Sequence, residues 1–386
     1  MWNYNELIEK LATQLKEVEN HKKALCDLLR EILLNESLTN FFDTLGEAQK
    51  LQIIESPMIQ VVPKISIKGL SIAGIDGSLL IKKLHGFDIF VMRALGVVFK
   101  YRKNSVDAEY FPGKKPDPVI KVNTIPTTSL ESDILASFER AKLELSTAIN
   151  LLKKYTPNIL LLDGSLFITK SLKMILSNTY LRKSYSELAN LYSQLYSLAY
   201  DHEILLAGII KDTRKHIFVD LLSKLIPHLL IFDKPLLSKI TKIDYRRILR
   251  HANDLDILFN ILNPGERTTY FVETDIPYNN GEESFKPKIY SFYLKAVPLD
   301  FPLRIEFMDI YNNPVLSGEK VSIIVYNLSC FSQHLAYPTV LIEADRRVRM
   351  LKSDLELIYH QFLARLGSTV ANLSLKRREK QKGVGW

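Results

Sequence analysis

Two Asp-Gly-Ser tripeptides are the residues best suited to chemistry: Asp76-Gly77-Ser78 and Asp163-Gly164-Ser165. Each follows a short apolar run, Ser71 to Ile75 in the first case and Asn158 to Leu162 in the second. Runs of this length bounded by turn formers read as buried strands. A carboxylate carried out of a buried sheet is costly unless it is paired, protonated or bound to a cation. The glycine after each aspartate leaves room for a ligand or another stretch of chain to approach the backbone. A single Asp-Gly-Ser is also an ordinary hairpin turn. Two copies, each after a core strand and with a long helix between them, point instead to a shared cation site. Hard oxygen ligands suit magnesium or manganese. Two such ions place an attacking water and stabilise a departing oxygen at a phosphodiester.

The elements that must position these acids can be read in order. Residues 2 to 35 carry Leu7, Leu11, Leu15, Val18, Leu25, Leu29 and Ile32 at helical spacing, which predicts one long or two shorter amphipathic helices. Strands follow at Ser71 to Ser78, Asp88 to Lys100 and Pro118 to Ile125, as an antiparallel meander. Thr128-Ser129-Leu130-Glu131 is a capping-box pattern that opens a long helix, and Thr156-Pro157 stops it. After Asp163 come a helix from about Tyr185 to Tyr200 and a strand from Ile204 to Ile210 that ends in Lys211-Asp212-Thr213-Arg214. Residues 216 to 320 read as an insertion of helical segments and a hairpin, Lys288 to Val297 with Leu303 to Asp309. Val321 to Leu328 reads as the last core strand, and Pro338 to Leu366 as one long helix carrying Glu343 and Asp345.

This order is that of a ribonuclease-H-like α/β core: a mixed sheet flanked by helices, with an N-terminal helical arm and a large insertion before the last core strand. Residues 1–65 form the helical region and 66–386 the catalytic domain. Such a core brings together acids from its first strand, first helix, fourth strand and last helix. The first helix offers Glu131, Glu139 and Glu144. Glu139 shares a stripe with Lys142, Ser146, Asn150 and Lys153, a solvent face. Glu144 lies near Ala141 and Ala148, at the edge of the buried face, and is the preferred ligand; Glu139 is the runner-up.

The bulk numbers agree with a globular protein. The 386 residues are 47% hydrophobic and 24% charged, as in globular proteins. No apolar run is long enough to span a bilayer, and no signal-peptide pattern opens the chain. Two cysteines, Cys26 and Cys330, make neither a paired metal motif nor a disulfide framework, so a cytoplasmic protein is expected. The net charge of +8 and basic clusters such as Arg346-Arg347 and the tail Lys376 to Lys380 are compatible with a polyanionic partner.

Taken together, Gly74-Ile75-Asp76-Gly77-Ser78, Arg140 to Leu145, Leu161 to Leu166, Ala207 to Arg214 and Tyr337-Pro338 leading to Glu343-Ala344-Asp345 make the sequence resemble the NurA family of nucleases. These work in DNA end resection and double-strand break repair alongside the hexameric HerA ATPase. The resemblance implies a nuclease that uses manganese (or magnesium), with 5′-to-3′ exonuclease action on DNA and endonuclease action on single strands. It further implies a homodimer with a DNA channel, attached to a HerA-type translocase, with no membrane contact. It makes Asp76, Glu144 and Asp163 metal-binding acids and Tyr337 a site tyrosine. The family usually carries a histidine eight residues after that tyrosine, where this chain has Asp345. Aspartate is an acceptable fourth ligand in the wider ribonuclease-H-like group. Lys211 and Arg214, just past a core strand, are candidates to grip a phosphate. Two other classes share some of these features. An inactive scaffold would keep the fold and bind DNA or the ATPase. An actin-like ATPase or kinase would share Gly-Ile-Asp-Gly-Ser, yet the late glycines Gly265, Gly281, Gly318 and Gly367 are isolated rather than clustered into a nucleotide motif.

Overall fold

The computed structural model describes residues 4–34, 54–55, 57–84, 86–125, 127–168, 175, 178–232, 240, 243–273 and 287–374. The basic tail from Lys376 lies outside the described residues. In chain order the elements begin with α1 (Tyr4–Leu33), β1 (Ile59–Val61), β2 (Ser71–Lys83), β3 (Asp88–Tyr101), β4 (Val106–Phe111) and β5 (Val119–Asn123). Next are α2 (Ser129–Tyr155), β6 (Ile159–Asp163), α3 (Thr179–Asp201), β7 (Leu205–Ile210), α4 (Ile217–Phe232), α5 (Tyr245–His251) and α6 (Asp254–Ile261). The chain continues through β8 (Glu266–Thr268), β9 (Phe271–Val272), β10 (Ile289–Lys295), β11 (Leu303–Met308), α7 (Pro314–Ser329), α8 (Thr339–Val348) and α9 (Lys352–Ser374).

The strands join one mixed sheet in the order β1-β8-β10-β11-β7-β6-β2-β3-β4, with β5 also on β3 and β9 on β10. Its middle is parallel: Ile75 of β2 lies beside Leu162 of β6, and Leu162 beside Gly208 of β7. β2 and β3 form a long antiparallel pair from Ser71↔Lys100 to Lys83↔Asp88. The expected mixed sheet flanked by helices is therefore borne out.

Two helices cover opposite faces of its centre. The capping box of α2 forms as expected: Glu131 N–H donates to Thr128 Oγ1, and the Glu131 carboxylate accepts from Thr128 N–H at 2.7 Å. Leu145, Leu151 and Leu152 of α2 are buried against the sheet. Gly96 of β3 leaves the space that Leu151 occupies, so a Cβ there would collide with it. On the other face Val340 and Leu341 of α8 press onto Gly74 of β2. Side chains alternate along a strand, so residues 74, 76 and 78 face α8, while 75 and 77 face α2.

Four expectations need correction. Val321 to Leu328 is not the last core strand but part of α7. Its β-branched run looked extended, yet its buried positions (Ser317, Gly318, Val321, Ser322, Val325, Leu328) recur at helical spacing. Asn313, which caps Leu316 N–H, and Pro314 in the first turn mark the helix start. Next, the hairpin β10–β11 is not inserted between core elements. It extends the main sheet, since β11 pairs antiparallel with β7. The helical part of that region, α4 to α6, forms a second core with Leu25, Cys26, Leu29 and Leu33 of α1. Third, the helix from Pro338 is two helices, α8 and α9, broken at residues 349 to 351. β4, on which no expectation was placed, shares β3 with β5, so the antiparallel part is not a simple three-strand meander. No helix among the described residues is long and apolar enough to cross a membrane.

Candidate active site at the ends of the parallel strands

β6 stops at Asp163, whereas β2 runs on to Lys83 with only β3 beside it. The result is a crevice at the carboxyl ends of the parallel strands, the usual place for a ligand in such sheets. Asp76 and Asp163 are the residues that follow the last paired positions, Ile75 and Leu162. They stand side by side on neighbouring strands roughly 4.8 Å apart and point to the same face.

That face is the one under α8. Tyr337, buried in the segment before α8, donates its hydroxyl to Asp163 Oδ1 at 2.7 Å. Lys211, just past β7, donates Nζ to Asp163 Oδ2 at 3.1 Å and lies 3.8 Å from the centre of the Tyr337 ring. Asp163 thus has both oxygens held. Burial, the Asp163 charge and the bond to Asp163 push the Tyr337 phenol above its ordinary pKa, so it stays a neutral donor. Asp76 has the Gly77 N–H at 2.6 Å from Oδ1. Burial first, then the neighbouring charges of Asp163 and Asp345, push the Asp76 carboxyl up to about 7. Asp345, on α8, is partly exposed and accepts from Arg349 at 2.9 Å. A cleft of about 460 Å³ on this side is lined by Lys211, Phe301, Leu335, Tyr337, Asp345 and Arg349.

Glu144 arrives from the opposite face. Its carboxylate occupies the space above Gly77, where a Cβ would collide with it. Arg140 lies 3.3 Å away, one turn earlier on α2. Burial lifts the Glu144 carboxyl to about 7; Arg140 opposes the rise, and Asp76 and Asp163 add to it. Glu144 and Asp163 both line a second cleft of about 190 Å³ beneath α2 and α3. The runner-up, Glu139, is engaged elsewhere. Although burial raises it, hydrogen bonds from Lys121 and Lys142 hold its carboxyl below the ordinary range. Arg214 is exposed in the turn after β7, and among the described residues it has no bond to the acid group.

Asp76 therefore feels the charges of Asp163 and Asp345, and Glu144 those of Asp76 and Asp163; Asp345 lies on the α8 side with the two strand aspartates, and Glu144 enters from the other face. Among the described residues no three Asp, Glu, His or Cys side chains stand together closely enough to hold an ion as placed. The donor set still fits a hard divalent cation. All four are oxygen ligands, Gly77 makes room for one of them, and the Asp76 and Glu144 carboxyls, raised first by burial, are raised further by neighbouring acids whose charge such an ion would offset.

A family model for the NurA domain matches residues 70–350. The chain belongs to the NurA family. The NurA match takes in every residue of the group, from Asp76 to Asp345. A crystal structure of the NurA nuclease from Sulfolobus solfataricus is similar over 92% of this chain and 97% of that one, with a TM-score of 0.51 and 16% identity. A structure of NurA bound to dAMP and manganese gives a TM-score of 0.39 at 12% identity over 91% of this chain and 94% of that one. At 16% identity the likeness to the first is one of fold. Among curated proteins no sequence matches this chain.

One part of this NurA-family site had no signal in the sequence. Glu306 and Arg304 alternate with apolar residues in Leu303–Met308, which reads as a half-exposed strand. Both are buried, and Glu306 bonds the second Asp-Gly-Ser segment.

Proposed function

We propose that this NurA-family protein is a metal-dependent nuclease that hydrolyses phosphodiesters in DNA. The observation that carries the reading is the pairing of Asp76 and Asp163 in one register at the crevice, with Tyr337 and Lys211 closing on Asp163. Asp76 and Asp163 would hold a pair of divalent ions, manganese or magnesium, with Glu144 and Asp345 supplying ligands from the two helices. Bound there, such ions would supply the Lewis acidity that activates water and offsets charge on the leaving oxygen.

The chain's own residues do the rest. Tyr337, kept neutral, fixes the rotamer of Asp163 by donating to one oxygen. Lys211 brings a positive charge to the crevice mouth, where it can move from Asp163 Oδ2 to a phosphate oxygen. Arg214, exposed nearby, would meet the DNA backbone farther along. Without the ion Asp76 and Glu144 hold protons near neutral pH, so binding the cation displaces protons and tightens as pH rises.

The finer reading follows from the resemblance: 5′-to-3′ exonuclease and single-strand endonuclease action in end resection, in the cytoplasm, with a HerA-type hexameric ATPase. A homodimer is supported by the first half of α1, whose Leu7, Leu11, Leu15 and Val18 are exposed at helical spacing. A second reading is favoured by one observation: Glu144 and Asp345 are each paired with an arginine of their own helix rather than gathered into a chelate. That arrangement suits a non-catalytic DNA- or ATPase-binding scaffold.

Cleavage of linear duplex and single-stranded DNA with manganese, magnesium or chelator separates the two. The nuclease reading expects metal-dependent cutting that falls by about a thousandfold or more in Asp76→Ala and Asp163→Ala. Intact wild-type protein that binds DNA and never cuts it would establish the scaffold.

A further inference from the structure

The row Glu306–Gly208–Leu162–Ile75 crosses β11, β7, β6 and β2, so these four residues share the face toward α2 and α3. Asp163, one residue on, faces the other way. Its chain then turns at Gly164 (φ 128°) and folds back over Gly208. A Cβ at Gly208 would collide with the Gly164 carbonyl, so glycine is what allows the crossing. On the far side the Glu306 carboxylate accepts from Ser165 Oγ at 2.6 Å and from Leu166 N–H at 2.9 Å. From above, Tyr192 of α3 donates to Ser165 O at 3.2 Å, and Tyr196 donates to Leu166 O. The Gly164 N–H is held by Ile209 O at 2.9 Å. The segment behind Asp163 is thus gripped on every polar atom that these bonds reach.

Glu306 is itself fixed. It is fully buried, 2.9 Å from Arg304 Nη1, and the Arg304 guanidinium also meets Glu273 at 2.5 Å. Ser291 donates to that same Glu273. Two carboxylates and one guanidinium inside the sheet are costly, and apolar residues of similar volume are often as stable. What an apolar residue cannot do is accept from Ser165 and Leu166.

We infer that Glu306 is a positioning residue for Asp163: it anchors the Gly164–Leu166 turn and thereby fixes where the Asp163 carboxylate stands in the crevice. The inference rests on the nuclease reading. Glu306 touches neither the crevice nor the other acids, so its loss acts through Asp163, on metal binding and turnover, while the DNA contacts stay.

The test compares Ser165→Ala, Glu306→Gln and Glu306→Leu in the full chain. Manganese binding is measured by calorimetry without DNA, and cleavage by kcat, KM for DNA and half-saturating manganese. Glu306→Leu should raise both the manganese Kd and the half-saturating concentration by about tenfold or more, with KM for DNA within about twofold. Ser165→Ala, which removes one bond, should shift metal binding in the same direction by a smaller factor. Glu306→Gln, which keeps an acceptor, should recover much of the loss. Metal binding by Ser165→Ala equal to wild type would overturn the inference even where Glu306→Leu fails to fold. Wild-type protein that neither binds manganese nor cuts DNA would overturn the nuclease reading and this inference with it. Wild-type activity with unaltered variants removes the inference alone.

Discussion

The two Asp-Gly-Ser segments share a sequence and set their aspartates side by side, yet differ in how backbone, glycine and serine are used. In β2 the tripeptide stays extended, and the strand runs on for five residues beyond Ser78. Gly77 is there for what it lacks, because Glu144 fills the place of its side chain. In β6 the strand ends at the aspartate, and Gly164 turns the chain at a positive φ that disfavours other residues. The serines differ too. Ser78 donates to Val348 O at the end of α8 (2.7 Å), and Ser165 donates to the buried Glu306. One aspartate is held by a continuous strand pair, the other by an anchored turn. A short motif can therefore recur because two carboxylates must end side by side, without the backbone recurring around them.

That contrast can be broken at each glycine. Gly77→Ala places a methyl group against the end of a flexible side chain, so Glu144 swings away while the fold survives. Cleavage should fall by about a hundredfold, with melting little changed; equal activity would remove Glu144 from the site. Gly164→Ala meets no neighbouring atom but must hold φ at 128°. It should cost about 1–3 kcal/mol of stability, measured by denaturant unfolding, and a melting curve like the wild type would show that the turn is not strained.

The acids give a pH test of the same comparison. In metal-free protein Asp76 and Glu144 hold protons up to about pH 7, against about 4 in the unfolded chain. Between these values the folded state binds more protons, so their contribution to stability is full at low pH and is lost as pH rises through about 7. Asp76→Asn, which mimics the protonated form, should therefore gain on wild type at pH 8 relative to pH 5. A gap between the two proteins that does not change with pH would contradict the burial of Asp76. The smallest effect is expected at Glu139→Gln, since that carboxylate bonds Lys121 and Lys142 away from the crevice. Cleavage should stay near wild type; a loss like that of Glu144→Gln would exchange their roles.

Much of this arrangement was legible in the residues. Continuous apolar runs located β2, β3, β6 and β7, which are buried on both faces along much of their length, and helical spacing located α2 and α3, all within a single large core. Asp76 and Asp163 could be paired from the strands that precede them, and Glu144 separated from Glu139 by its alanine neighbours. What failed has physical causes. A run such as Val321-Ser322-Ile323-Ile324-Val325 is β-branched enough to suggest a strand, and its helical burial appears only once packing is known. The β10–β11 hairpin gives the same pattern whether it stands apart or joins β7. Glu306 was beyond reach, because alternation with apolar neighbours signals solvent, and only the partners Arg304 and Ser165 make burial tolerable. That Asp76 and Glu144 approach Gly77 from opposite faces also follows from register rather than spacing.

The most direct measurement is anomalous diffraction at the manganese edge from crystals soaked in that metal. The account predicts a peak at the crevice within coordination distance of both Asp76 and Asp163, absent in Asp163→Ala. A peak bound elsewhere, or a crevice that takes up no manganese while Asp76 and Asp163 remain in place, would contradict it.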